Sequence, residues 1–110
     1  MIRATTLDDI QVIQQIAKVS WNDTYKNIIP DDIQTLFLEK AYSPMMIVKR
    51  IEKTIFLIAE YEGNPIGFAN FTYTDEDGDA ELTAIYVLPE YKQSGYGKKL
   101  LLAGLNQMPD

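Results

Sequence analysis

The sequence of 110 residues contains no cysteine and no histidine, and tryptophan occurs once. Without thiols there can be no disulfide, no zinc finger and no cysteine nucleophile. Without imidazole the usual proton shuttle is missing, so any acid or base must be Asp, Glu, Lys, Tyr or a chain terminus. Basic residues are few: 10 Lys plus Arg stand against 16 Asp plus Glu, a formal charge of -6. Such a balance repels nucleic acid phosphates and favours cationic small molecules or basic peptides, and it also serves solubility. No apolar run approaches the length of a membrane span, and Met1-Ile2-Arg3-Ala4 leads into polar residues rather than a signal-peptide core. The expectation is a soluble, cytoplasmic protein with neither nucleic acid nor membrane as partner.

Hydrophobic residues make up 46% of the chain, enough for one core and not for two, so residues 1–110 read as a single domain. Met1 to Thr5 suits a short edge strand. Thr6 and Asp9 have the spacing of a capping box, and Ile10, Ile13, Ile16, Ala17, Ser20 and Trp21 then recur at helical spacing. That pattern predicts a first helix from Leu7 to Trp21. Pro30-Asp31-Asp32 opens a second helix that reaches Ala41 with Ile33, Leu36 and Phe37 as its apolar face. Ser43-Pro44 opens a third, ending near Lys53. The runs Ile55 to Tyr61 and Ile66 to Tyr73 flank a turn at Glu62-Gly63-Asn64-Pro65 and predict an antiparallel hairpin. Gly67 marks a bulge or a close backbone approach there, or is simply tolerated.

The acidic loop Thr74 to Asp79 lacks the ligand spacing of a calcium loop, so no metal is expected. Ala80 to Val87 predicts a third strong strand, whose alternation puts Glu81, Thr83, Ile85 and Val87 on one face and Leu82, Ala84 and Tyr86 on the other. Tyr96 to Gln107 predicts a last helix carrying Leu100, Leu101 and Leu105, and Pro109 forbids its continuation.

Between that strand and that helix lies the segment richest in chemistry. Gly95 and Gly97 allow backbone N–H groups to turn inward, and the helix start adds partial positive charge, so main chain alone could hold a phosphate or pyrophosphate. A P-loop would need glycine where Lys92 stands and Ser or Thr where Lys99 stands. A dinucleotide fingerprint would need a third glycine or alanine at Leu100 and a parallel strand–helix–strand unit. Neither fits.

What does fit is the pattern Arg or Gln, two residues, Gly, one residue, Gly or Ala, which here reads Lys92-Gln93-Ser94-Gly95-Tyr96-Gly97. With the preceding Ile85-Tyr86-Val87-Leu88-Pro89-Glu90-Tyr91, it resembles the acetyl-CoA-binding segment of the GNAT family of N-acetyltransferases. Lys92 departs from the pattern but keeps the positive charge. The segment Ser20-Trp21-Asn22-Asp23-Thr24-Tyr25 and the hairpin through Asn64-Pro65-Ile66-Gly67 resemble the same family's N-terminal half. The resemblance implies a mixed α/β fold and acetyl-CoA as co-substrate for acetylating a primary amine, whether a small amine, a polyamine or a peptide N-terminus. It places Ile85, Tyr86 and Val87 along the acetyl and pantetheine arm, and Lys92, Gln93, Ser94, Gly95, Tyr96, Gly97 and Lys98 around the pyrophosphate. Glu81 falls where many family members carry the general base, although a solvated strand-start residue is the plainer alternative. Trp21, Asn22 and Tyr25 fall on the helix–loop that borders the acceptor amine, and serve equally well as core.

Members of the family continue past the third family helix, whereas this sequence reads Met108-Pro109-Asp110 at its end. The resemblance therefore implies a domain without the C-terminal strands and helix, and a last strand whose outer edge is bare. A second copy of the chain, in a homodimer, or a complementing C-terminal polypeptide would cover it. The alternative to an enzyme is a fragment that binds coenzyme A or self-assembles without catalysis.

Overall fold

A computed structural model of the chain describes residues 1–73 and 80–107. The acidic stretch Thr74 to Asp79 and the terminal Met108-Pro109-Asp110 lie outside the described residues. The elements are β1 (Ile2–Ala4), α1 (Ile10–Tyr25), α2 (Asp31–Ala41), α3 (Pro44–Lys53), β2 (Ile55–Tyr61), β3 (Asn64–Tyr73), β4 (Ala80–Val87) and α4 (Tyr96–Asn106). Short 3₁₀ turns at Leu7–Asp9 and Pro89–Tyr91 lead into α1 and toward α4. The strands form one sheet in the order β1-β2-β3-β4, antiparallel throughout, which gives the mixed α/β architecture expected.

Local chemistry explains the helix starts. Thr6 and Asp9 form the expected capping box, and Asp9 also accepts two 2.8 Å bonds from Arg3 while Arg3 reaches Glu60 at 3.1 Å. The Arg3 guanidinium holds the Asp9 carboxyl below the usual carboxylate range, against the opposing effect of burial. This bidentate pair ties β1 to the turn before α1. Ser43 caps α3 through its Oγ, which accepts from the Met46 N–H at 3.2 Å. The helix from Ile10 runs a full turn beyond the expected end at Trp21, carrying Asn22, Asp23 and Tyr25 with it.

The sheet is covered on both faces. On one face Phe56, Ile58 and Phe68 meet Ile13, Ile16 and Ala17 of α1 and Ile47 of α3. On the other, Leu57, Ala59, Ala69 and Phe71 meet Leu100 of α4. Strand β2 is buried from Ile55 to Ala59 because both faces are occupied, and its continuous apolar run follows from that. Gly67 lies beside a register shift and under a close approach: a Cβ there would stand 2.7 Å from the Tyr86 carbonyl oxygen.

Two expectations fail. The predicted apolar face of α2 points outward, with Ile33, Leu36 and Phe37 about half exposed, and Gln34 is the residue it buries. Gln34 is tolerated inside because its amide donates to the Ile29 carbonyl at 2.9 Å. The alternation along β4 is also broken. Asn70 pairs with Ala84 but Phe71 pairs with Leu82, so Thr83 is an extra residue, a β-bulge. Residues paired across antiparallel strands share a side, so Glu81, opposite Thr72, joins the α1 face with Tyr86, while Leu82 joins Ile85 and Val87 on the α4 face. The Thr83 hydroxyl donates to that of Thr72 at 3.2 Å, in keeping with this assignment.

Candidate functional site

Strand β4 delivers the chain to the loop Leu88–Gly95. The Leu88 N–H donates to the Ile66 carbonyl at 2.8 Å, and a 3₁₀ turn closes when the Tyr91 N–H donates to Leu88 at 2.9 Å. The Ser94 N–H donates to Tyr91 at 3.1 Å and its hydroxyl donates to the same oxygen. Gly95 caps α4 at φ 84°, a left-handed conformation that glycine adopts without penalty. The first α4 bond runs from the Lys99 N–H to the Gly95 carbonyl at 3.1 Å. The N–H groups of Tyr96, Gly97 and Lys98 therefore have no partner within the helix, and a glycine cap has no side chain to supply one. The first turn holds no acidic residue but does hold Lys98 and Lys99.

Gly97 has neither a positive φ nor a crowded neighbourhood: a Cβ there would meet nothing within 4 Å. Gly104, on the same helix, is the opposite case, since a Cβ would fall 2.2 Å from the Phe71 ring. The fold requires glycine at Gly104 and gives no reason for it at Gly97.

The residues expected at the acceptor side gather on the α1 face. Trp21 stacks on Phe37 with ring centroids 4.4 Å apart and lies 4.7 Å from the Tyr25 ring. Its indole N–H donates to the Tyr86 hydroxyl at 2.8 Å, which ties α1 to β4 and turns the Tyr86 side chain away from those of Ile85 and Val87. Tyr86 in turn packs edge-on to Phe68 and Tyr42. The Tyr42 phenol is pushed up to about 12, first by burial and then by Tyr86. Asn22 donates to Asp31 at 3.4 Å rather than facing the Trp21 cluster alone. Glu81 is exposed, on the same face as Tyr86.

Sequence reasoning named Asp23 and Phe37 but gave no sign of their contacts with Lys92 and Trp21. Asp23 accepts from the Lys92 ammonium at 2.6 Å, joining the end of α1 to the first residue of the glycine loop. Lys92, foremost, holds the Asp23 carboxyl below its usual range. A contact across 69 residues leaves no periodic trace. Two cavities of about 240 and 160 Å³ lie between α1 and α2, both lined by Lys18, Thr35 and Leu38, the second also by Asn22 and Asp31. Neither is lined by residues of the glycine loop. Among the described residues no three acidic side chains converge to hold a metal ion.

A strand, a turn and a glycine-capped helix start that presents main-chain amides beside lysines make a surface suited to an anion. Residues 13–110 match the family described as Acetyltransferase (GNAT) family, and the chain belongs to it. It is 33% identical over 106 residues to the uncharacterized N-acetyltransferase YuaI of Bacillus subtilis, covering 94% of this chain and 61% of that protein. It is 28% identical to spermidine N(1)-acetyltransferase of Thermoplasma acidophilum, covering 92% of this chain and 65% of the relative. The chain thus spans less than two thirds of the length of both curated relatives. Among solved structures, the PaiA N-acetyltransferase of Thermoplasma acidophilum in complex with coenzyme A superposes with a TM-score of 0.91 at 27% identity, over 96% of this chain and 69% of that one. A GNAT family acetyltransferase of Brucella melitensis in complex with acetyl-CoA shares the fold, with a TM-score of 0.71 at 24% identity, over 97% of this chain and 66% of that one.

Proposed function

We propose that this chain forms the cofactor-binding part of an N-acetyltransferase that moves the acetyl group of acetyl-CoA to a primary amine. The pyrophosphate would rest on the α4 N-terminus and the segment Lys92, Gln93, Ser94, Gly95, Tyr96, Gly97 and Lys98. The acetyl and pantetheine arm would run beside the main chain of Ile85, Tyr86 and Val87. The observation that carries this reading is Gly97, a glycine that neither backbone conformation nor packing demands, in a helix start whose amides lack partners. Its missing side chain leaves room for a ligand to approach the main chain.

The amine would enter on the α1 face, beside Trp21, Asn22 and Tyr25, where aromatic rings favour a cation. The net charge of -6 and the spermidine-acetylating relative support a polycationic acceptor over a neutral one. Before attack the ammonium must lose a proton, since a primary amine has a reference pKa of about 10.4. Its free lone pair then forms the new C–N bond at the thioester carbonyl, the C–S bond breaks as the thiolate leaves, and the second proton shed by the nitrogen ends on that thiolate. Glu81 is the proposed base. The bulge at Thr83 gives it the α1 side of the sheet, where the amine would enter, yet a rise of about 3.3 Å per residue leaves it about 13 Å along β4 from Ile85, so the proton would travel through water.

Gly97→Val tests the phosphate site. Coenzyme A at a hundred times its dissociation constant should stabilise the wild-type chain by about 2.7 kcal/mol in thermal unfolding, and the variant should lose that gain while melting near the wild-type temperature without ligand. A normal ligand shift in the variant would remove the site from Gly97. Glu81→Gln should lower turnover by about a hundred- to ten-thousand-fold at unchanged coenzyme A affinity; equal turnover would take Glu81 out of the reaction.

The exposure of Leu82 on the edge strand β4, and of Leu101 and Leu105 on α4, supports a second reading, in which the chain self-assembles through that edge and binds coenzyme A without turnover. Sedimentation of the chain with coenzyme A, paired with an amine-acetylation assay, separates the two readings.

A further inference from the structure

The glycine loop is closed by aromatic rings at its two ends. Tyr91 ends the 3₁₀ turn just before Lys92, and Tyr96 opens α4 just after Gly95, so the pair brackets Lys92-Gln93-Ser94-Gly95. Their ring centroids lie 6.5 Å apart at 83°, an edge-on contact. A third ring joins them from a distant part of the chain. Tyr61, the last residue of β2, lies 5.7 Å from the Tyr91 ring and 6.5 Å from the Tyr96 ring, edge-on to the latter at 85°. At such separations aromatic pairs attract beyond what their buried area accounts for. The turn that follows Tyr61 fixes its place: Glu62 and Gly63 both take positive φ, 51° and 81°, in a two-residue connection between Tyr61 and its partner Asn64. Tyr61 is 39% exposed, so the buried core does not demand an aromatic ring there.

A glycine-containing segment is costly to order, and the loop has few main-chain ties of its own. Tyr91 is their hub, since its carbonyl accepts from both the N–H and the hydroxyl of Ser94. Tyr96 carries the first unpaired amide of α4, and the Lys99 ammonium lies over its ring, 4.8 Å from the centroid. Whatever holds these two rings therefore holds the loop, the helix start and one of its positive charges. We propose that Tyr61 is a positioning residue for the cofactor, whose ring keeps Tyr91 and Tyr96 together and so keeps the amides of Tyr96, Gly97 and Lys98 arranged to receive the pyrophosphate. The proposal rests on the assignment of Lys92 to Lys98 as the pyrophosphate site. Tyr61 acts by sparing the cofactor the entropy cost of ordering the loop.

Calorimetric titration of the whole chain with coenzyme A tests this. Tyr61→Ala should weaken binding at least about fivefold, whereas Tyr61→Phe, which keeps the ring, should stay within about twofold of wild type. Gly104→Ala strains α4 against Phe71 without touching the three tyrosines, so it controls for lost stability and should bind like wild type. Without ligand, the Ser94 amide in Tyr61→Ala should exchange with solvent at least about tenfold faster, beyond any general change shown by the Leu57 amide within β2. Wild-type affinity in Tyr61→Ala, an equal loss in Tyr61→Phe or Gly104→Ala, or an unchanged Ser94 exchange rate would overturn the proposal while leaving the pyrophosphate site intact. Absence of coenzyme A binding in wild type would overturn the site assignment and this inference with it.

Discussion

Helices α2 and α4 begin in contrasting ways. At α2 the first turn carries Asp31 and Asp32, and the Asp32 carboxylate accepts from the Ile33 N–H at 3.0 Å. Negative charge from the chain itself thus meets the positive end of the helix. At α4 the cap is Gly95 with no side-chain bond, the first turn has no acid, and Lys98 and Lys99 add positive charge where it is least favourable. Ser43 at α3 and the Thr6–Asp9 box before α1 follow the α2 pattern. A helix start with lysines in its first turn and unpaired amides is suited to an anion from outside, as proposed above.

The largest effect on stability should come from the far end of α4. Gly104→Ala drives a methyl into the buried Phe71 ring and should cost about 1–3 kcal/mol in denaturant unfolding, with the coenzyme A shift of the folded protein intact. An unchanged midpoint would mean that α4 can lift off the sheet, and that the packed and open glycines are not distinct. Lys98→Glu gives α4 the acid that α2 already has. It should weaken coenzyme A binding about tenfold or more while stabilising the free chain by a few tenths of a kcal/mol. Tight binding in that variant would mean that the start of α4 does not hold the anion. Asp32→Asn should have the smallest effect, a loss of about 0.3–1 kcal/mol in thermal stability and no change in coenzyme A affinity.

Much of this architecture was legible because it is encoded locally. The Thr6–Asp9 box, Ser43-Pro44 and the two hairpin runs each carry their signal within a few residues, and Gly95 and Gly97 stand in a pattern that only close backbone approach makes useful. What escaped is encoded by partners distant in sequence. Nothing in Ala80 to Val87 announces the bulge at Thr83; pairing with Asn70 and Phe71 of β3 creates it, and with it Glu81 changes face. The outward face of α2 reversed the expected burial because α2 packs on α1 through Gln34 and Leu38, leaving Ile33, Leu36 and Phe37 half in solvent, with Phe37 laid on Trp21. The Lys92–Asp23 pair was invisible for the same reason.

The unpaired amides at the start of α4 are proposed to hold the cofactor's pyrophosphate. Amide hydrogen exchange, followed residue by residue with and without saturating coenzyme A, tests this directly. The amides of Tyr96, Gly97 and Lys98 should slow by at least about tenfold, beyond any general stabilisation, while those of Asp31 and Asp32 at the self-completed start of α2 show only the general change. Equal slowing at both helix starts, or none at α4 in a chain that binds coenzyme A, would contradict it.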